Sequence, residues 1–262
     1  LRERLCCMKN ILIIGSTGKI GRALVEAFPK DHVLEASRSL PNDMNQYSLD
    51  LANFESIKNF LVKIKYIPLD YLFMISGTFQ EKKLTEDSLE VNFLANAFGP
   101  YFLVKHFLKH QPNCKIILTS SISICRAKLD LNPKKWKHIY RNTKLLEHML
   151  MVSLEKEYHT NISYAHPGVV KSQLSLGLHN FLIRFWIKHF ANTSAQGAQY
   201  IVEASKVQNC KNSWICPSGL FGLKGKPKLK KIKRGLELPN PWKEKIKKLE
   251  QEIEEKYGIR SF

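Results

Sequence analysis

Short apolar runs alternate along the chain with longer stretches whose apolar residues recur every three or four positions. The runs at 10–15, 32–37, 71–76, 115–120, 161–165 and 213–216 have the length of buried strands. The stretches at 19–27, 54–64, 89–109, 140–158 and 195–207 have helical period. This alternation predicts βαβ units and an α/β fold: a single doubly wound parallel sheet of six strands, covered by helices on both faces, three layers deep. The sheet domain is expected over 8–221, with residues 1–7, which precede Met8, set apart as an N-terminal tail.

A second pattern follows the sheet. The stretch 224–234 holds seven basic residues and no acid. Beyond it Trp242, Ile246, Leu249, Ile253 and Tyr257 form one helical stripe. Asn240 reads as its N-cap, Pro241 as the first helical residue and Gly258 as the stop. Residues 222–262 are therefore expected to be a basic segment with an amphipathic C-terminal helix. The body of the same chain, a second subunit and a membrane surface are the partners open to the stripe.

Composition narrows the classes. Of 262 residues 44% are hydrophobic and 24% charged, which excludes a disordered or fibrous chain. A chain of this size buries roughly 75% of its unfolded surface, so a core needs neither disulfide nor metal. The 41 Lys and Arg against 23 Asp and Glu give a formal net charge of +18 and suggest an anionic partner: a nucleic acid, a membrane surface or a phosphorylated small molecule. The six cysteines include no Cys-x-x-Cys pair, so no metal site is expected. No apolar run reaches the ~18 residues that span a bilayer. The expected location is the cytoplasm, with peripheral membrane contact left open.

Gly15-Ser16-Thr17-Gly18-Lys19-Ile20-Gly21 follows the first strand directly and opens the first helix. In that context glycines let backbone approach a pyrophosphate while the helix N-terminus offers free N–H groups, which predicts a dinucleotide site of Rossmann type. The second strand ends Glu35-Ala36-Ser37-Arg38. A strand ending at Ala36 puts Ser37 and Arg38 on a 2′-phosphate and turns Glu35 away, which favours NADP(H), with Lys19 as a second cation. Ending two residues earlier puts Glu35 on the ribose and favours NAD(H). NADP(H) is the favoured reading. Asp50, beside Leu51 after a short third strand, is either an acceptor for the adenine amino group or a helix N-cap.

Tyr140 and Lys144 stand one turn apart, with phenol and ammonium on one helix face. Lowering a phenol pKa by ~3 units, so that it works near pH 7, takes about 4 kcal/mol, and an adjacent ammonium helps to supply it. On spacing alone, a solvated surface pair explains the two residues as well. Ser120 and Ser121 close the run at 115–120, Pro167 and Gly168 follow the run at 161–165, and Asn96-Ala97-Phe98-Gly99-Pro100 lies on the helix between 89 and 109.

In this order the motifs resemble the short-chain dehydrogenase/reductase family over roughly residues 8 to 220. The resemblance implies hydride transfer between NADP(H) and a carbonyl or alcohol carbon. Tyr140 would exchange the oxygen's proton, Ser121 would hold the substrate carbonyl, Lys144 would bind the nicotinamide ribose and lower the tyrosine pKa, and Asn96 would hold a relay water. It also implies cofactor contacts from Ser76, Gly77, Pro167, Gly168, the Val170 N–H and Ser172, the last of which reads equally as a plain loop serine. The chain departs from the family's pattern in its Gly-x-x-Gly-x-x-Gly turn, in Met74-Ile75-Ser76-Gly77 where the family has Asn-Asn-Ala-Gly, and in the 19 residues from Ser121 to Tyr140. His166-Pro167-Gly168-Val169-Val170 and Gln196-Gly197-Ala198 are similar to the retinol dehydrogenase-like branch.

Residues 174–190 fall where the family places its substrate-covering helices, and Phe181, Leu182, Phe185, Trp186 and Phe190 make them apolar. A lid over a hydrophobic substrate, an edge resting on a membrane and simple core packing all account for that. The competing function is a non-catalytic NADP-binding sensor or scaffold. A homo-oligomer is left open. Nucleic-acid binding through 224–234 has charge but no aromatic interleaving.

Overall fold

The computed structural model describes residues 8–78, 80, 83–87, 89–129, 139–170, 191–208, 211–219, 223–233 and 235–258. The tail at 1–7, Ser172 and the apolar stretch 174–190 lie outside the described residues. The first half runs β1 (Asn10–Ile14), α1 (Lys19–Glu26), β2 (His32–Ser37), β3 (Gln46–Ser48), α2 (Phe54–Ile64) and β4 (Tyr71–Met74). There follow α3 (Val91–Phe93), a π-helical stretch (Leu94–Phe98), α4 (Gly99–His110), β5 (Lys115–Thr119), a 3-10 helix (Ile122–Arg126), α5 (Ile139–Glu157) and β6 (Ser163–Ala165). The chain closes with α6 (Ser194–Lys206), β7 (Ser213–Pro217), β8 (Pro227–Lys231) and α7 (Asn240–Tyr257).

The strands form one sheet in the order β3-β2-β1-β4-β5-β6-β7-β8, parallel throughout except for β8. The order reverses between β1 and β4, which opens a crevice beyond their carboxyl ends. β1 shows how the layers arise. Its side chains alternate across the sheet: Ile11 and Ile13 pack with Leu24 of α1 and Ile201 of α6, while Leu12 and Ile14 face Phe54, Leu103 and Leu150 from α2, α4 and α5.

Two strands add to the six long runs: the short third strand expected before Asp50, and a last strand that the sequence does not announce. β3 is three residues long and sits at one edge. β8 is formed by the lysine-rich stretch, paired antiparallel with β7 so that Trp214 opposes Lys230 and Ile215 opposes Leu229. Lysines along an outermost strand discourage further edge-to-edge pairing, so the charge that reads as a solvated tail has a structural use at the end of the sheet.

The terminal helix packs on the body of the chain. Trp242, Ile246, Leu249 and Ile253 join the main core, and Trp242 stacks on Phe93 with ring centroids 5.9 Å apart. Tyr101 donates to Glu250 at 2.9 Å, Lys105 pairs with the same carboxylate, and Lys256 and Tyr257 bond Asp87 at 2.6 and 2.8 Å. The helix begins one residue earlier than predicted. Pro239 occupies the cap position without a side-chain cap bond, Asn240 is the first helical residue, and Gly258 ends the helix at φ +63°.

Candidate active site

Gly15 and Gly21, at the two ends of the turn after β1, have no room for a side chain. Gly15 lies at φ +91°, and a Cβ there would stand 3.0 Å from the Ser76 nitrogen. Gly21 is required by contact: a Cβ would fall 2.2 Å from the Gly15 oxygen, because α1 rests directly on the turn. Gly18 caps α1 with no side-chain cap bond and no acid in the first turn, so the N–H groups around Lys19 and Ile20 are left without a side-chain acceptor. The Ser16 and Ser76 hydroxyls are buried with no hydrogen-bond partner among the described residues. Open helix amides, two unsatisfied buried hydroxyls and two glycine positions too tight for a Cβ fit the pyrophosphate of a dinucleotide.

At the end of β2 the Ser37 and Thr17 hydroxyls lie 2.6 Å apart, tying the strand to the glycine turn. Glu35 pairs in register with Gln46 of β3 and accepts from its amide at 3.4 Å, while Arg38 is exposed just past the strand. The N-cap of α2 is Asn53, whose Oδ1 accepts from the Ser56 N–H at 2.9 Å. The helix-cap alternative for Asp50 is therefore corrected: Asp50 accepts from the Ala52 N–H at 2.9 Å and closes the turn before the cap. The Leu51 carbonyl oxygen would lie 2.2 Å from a Cβ on Gly99, so that glycine lets α4 lie against this turn.

Asn96 sits on the π-helical stretch, fully buried. Its Oδ1 accepts from the Thr78 N–H at 2.8 Å, and its Nδ2 donates to the Thr78 oxygen at 2.8 Å and to the Thr143 hydroxyl at 3.2 Å. The amide is thus spent on the loop after β4 and on α5. Gly77, the preceding loop residue, is close to the chemistry: a Cβ there would stand 3.9 Å from the Tyr140 hydroxyl.

Tyr140 is half-buried at the start of α5 and hydrogen-bonds Ser121 across from the end of β5. Ser121 also caps the 3-10 helix, its Oγ accepting from the Ser123 hydroxyl at 2.9 Å. Lys144 and Glu147 form an ion pair with both side chains almost wholly buried. Burial pushes the Tyr140 phenol up, Glu147 pushes it further, and the Ser121 bond opposes them. The Lys144 ammonium is thus paired with a carboxylate that acts on the phenol in the opposite sense. Burial raises Glu147 in turn, with Lys144 opposing. His148 is stacked on Tyr164 at 4.1 Å with its Nδ1 3.2 Å from the Ser120 hydroxyl, and burial together with Lys144 pushes it down to about 3.

The turn after β6 completes the crevice. Gly168 lies at φ +74°, and a Cβ there would meet the Asn192 amide nitrogen at 2.3 Å. Asn192 donates to the Pro167 and Leu223 oxygens at 3.1 and 2.9 Å, and its N–H bonds the Val169 oxygen at 2.8 Å. Gly197 of α6 has Val170 and Ile20 against it: a Cβ would lie 2.9 Å from one and 3.5 Å from the other. One helix thus brings the two ends of the expected cofactor site together.

Sequence reasoning missed Glu147, His148 and Asn192. The first two carry a signal, being consecutive polar residues within an otherwise apolar run one turn after Lys144. Asn192 carries none, since its partners are backbone oxygens distant in sequence.

No family model matches the chain. An uncharacterized oxidoreductase of Emericella nidulans is 24% identical over 186 residues, 64% of this chain and 72% of that protein. The carbonyl reductase Sniffer of D. melanogaster superposes with a TM-score of 0.56 at 18% identity, over 79% of this chain and 96% of its own. A short chain dehydrogenase from Burkholderia cenocepacia in complex with NADP gives 0.56 at 13% identity, over 76% and 84%. The chain has the fold of the short-chain dehydrogenases/reductases, a Rossmann sheet with a crevice at its carboxyl edge.

Proposed function

We propose that this chain is an oxidoreductase that transfers hydride between NADP(H) and the carbonyl or alcohol carbon of a small, apolar substrate. The observation that carries the reading is the meeting of Ser121, Tyr140 and Gly77 at the carboxyl edge of the sheet, at one end of the glycine cradle. When bound, the nicotinamide supplies or accepts the hydride. Ser121 orients the substrate oxygen towards Tyr140, which gives its proton in reduction and takes one in oxidation, a contribution of roughly 10² to 10⁴ in rate. Lys144 would bind the nicotinamide ribose, and Gly168, Val170 and Ser172 would hold the carboxamide end. Asn96 contributes as the clamp on Thr78, a role that needs no relay water on its side chain.

NADP(H) is preferred in this reading because Glu35 is engaged by Gln46, while Ser37, not Ala36, closes β2 and Arg38 stands exposed just past it. The protein acts in the cytoplasm. No helix among the described residues is long and apolar enough to cross a membrane, and the lysines of β8 offer a peripheral contact to an anionic surface. A non-catalytic NADP-binding role is the second reading, favoured by the pairing that neutralises Lys144.

NADPH and NADH titrations of wild type and Arg38→Ala, followed by NADPH consumption over a panel of apolar ketones and aldehydes, test these points. Arg38→Ala should weaken NADPH about tenfold and leave NADH unchanged. Equal losses would remove the preference for NADP, and binding without consumption would select the second reading.

A further inference from the structure

Glu147 is a buried ionisable group that the proposed reaction leaves unused. Its side chain is 1% exposed, it pairs with Lys144, and it acts on the Tyr140 phenol two turns back along α5. A carboxylate is costly to bury and persists in such a place only with a partner.

Resting on the reading of Tyr140 as proton carrier, we propose that Glu147 is a positioning residue that keeps Tyr140 protonated. By holding Lys144 and cancelling the ammonium's attraction for a phenolate, it fits the site to carbonyl reduction at neutral pH and moves alcohol oxidation to alkaline pH.

Lys144 favours a phenolate only as an uncompensated cation, and paired with Glu147 it becomes a dipole whose negative end also acts on the phenol. The ionisable groups on the elements packed against α5 do not replace that anion. Ser121 is neutral, and His148 is held uncharged by burial. Glu90 is bonded to Asn92 and to the start of α3, and Cys125 and Arg126 on the 3-10 helix are exposed. A phenol ionises at a pH where Glu147 already carries its full charge, so the carboxyl's own upward displacement does not weaken the effect.

In reduction the carbonyl carbon takes a hydride with its electron pair from the reduced nicotinamide. The C=O π pair becomes the new O–H bond to the Tyr140 proton, and the phenolate left behind is reprotonated from water. A site that favours the phenol is ready for each such turnover, whereas oxidation must first expel the proton.

Tyrosine labelled with ¹³C at Cζ reports the ionisation directly, with the Tyr140 resonance assigned by its loss in Tyr140→Phe. In Glu147→Gln, Tyr140 should ionise about one pH unit or more below wild type, and in Lys144→Met above it. The double variant Lys144→Met/Glu147→Leu, which replaces the pair by packed apolar groups, should return close to wild type. Should Glu147→Gln not fold, the double variant against Lys144→Met alone reads the same charge. An unmoved resonance in either comparison overturns the proposal, with or without turnover. The alkaline limb of NADPH-dependent carbonyl reduction should move with the resonance. A shifted resonance beside an unshifted limb would instead overturn Tyr140 as proton carrier and leave the Glu147 effect standing.

Discussion

Asn96 bonds both backbone groups of Thr78, accepting from the N–H and donating to the oxygen at 2.8 Å each. One turn earlier Asn92 does the same to Gln80, at 2.8 and 3.1 Å. Two amides one turn apart thus act as a surrogate strand for the loop after β4, pinning it at Thr78 and Gln80, and they hold Gly77 beside the Tyr140 hydroxyl. Asn96→Ala leaves both Thr78 backbone groups short of a partner, each such loss costing about 1 to 3 kcal/mol, while the Thr143 hydroxyl keeps its bond to the Tyr140 oxygen. Urea unfolding should show a loss of about 2 kcal/mol or more. A loss under roughly 0.5 kcal/mol would mean that the clamp is replaceable.

Trp242 links the terminal helix to the site. It is 2% exposed and stacks on Phe93, the residue immediately before the π-helical stretch that carries Asn96. Truncating a buried tryptophan typically costs about 3 to 5 kcal/mol. Trp242→Ala should lower the denaturant midpoint accordingly and reduce cofactor affinity with it. A folded protein of unchanged midpoint would show α7 to be an appendage.

His148 makes stability fall in acid. Its folded pKa, about 3, lies below the unfolded 6.5, so it contributes stability above pH 6.5 that is lost as pH falls towards 3, roughly 3 kcal/mol of it by pH 4. Glu147 acts oppositely: its folded pKa is raised, so its contribution is present in acid and lost as pH rises. Comparing His148→Gln with wild type isolates the histidine. Unfolding free energies at pH 7 and pH 4 should differ less in the variant than in wild type, and equal differences would sink the assignment.

The legible parts of the sequence are those where local geometry leaves a residue little choice. Gly15 and Gly21 are demanded by backbone contact, and β1 announces itself because both of its faces are buried. Tyr140 and Lys144 are visible by helical spacing. β8 is not visible, because a lysine-rich run reads as solvated and its strand character comes from pairing with Trp214 and Ile215, a register that the run itself does not encode. Glu147 resembles any helix acid until its burial is known. Asn192 works only through the backbone oxygens of Pro167 and Leu223, which folding brings to it.

The most direct measurement is the steady-state rate of NADPH oxidation with an apolar carbonyl substrate, beside NADPH affinity, for wild type and Tyr140→Phe. Wild type should turn over, and the variant should lose about 10² to 10⁴ in kcat while binding NADPH with nearly unchanged affinity. A Phe variant that turns over as fast as wild type would contradict the central claim that Tyr140 carries the proton.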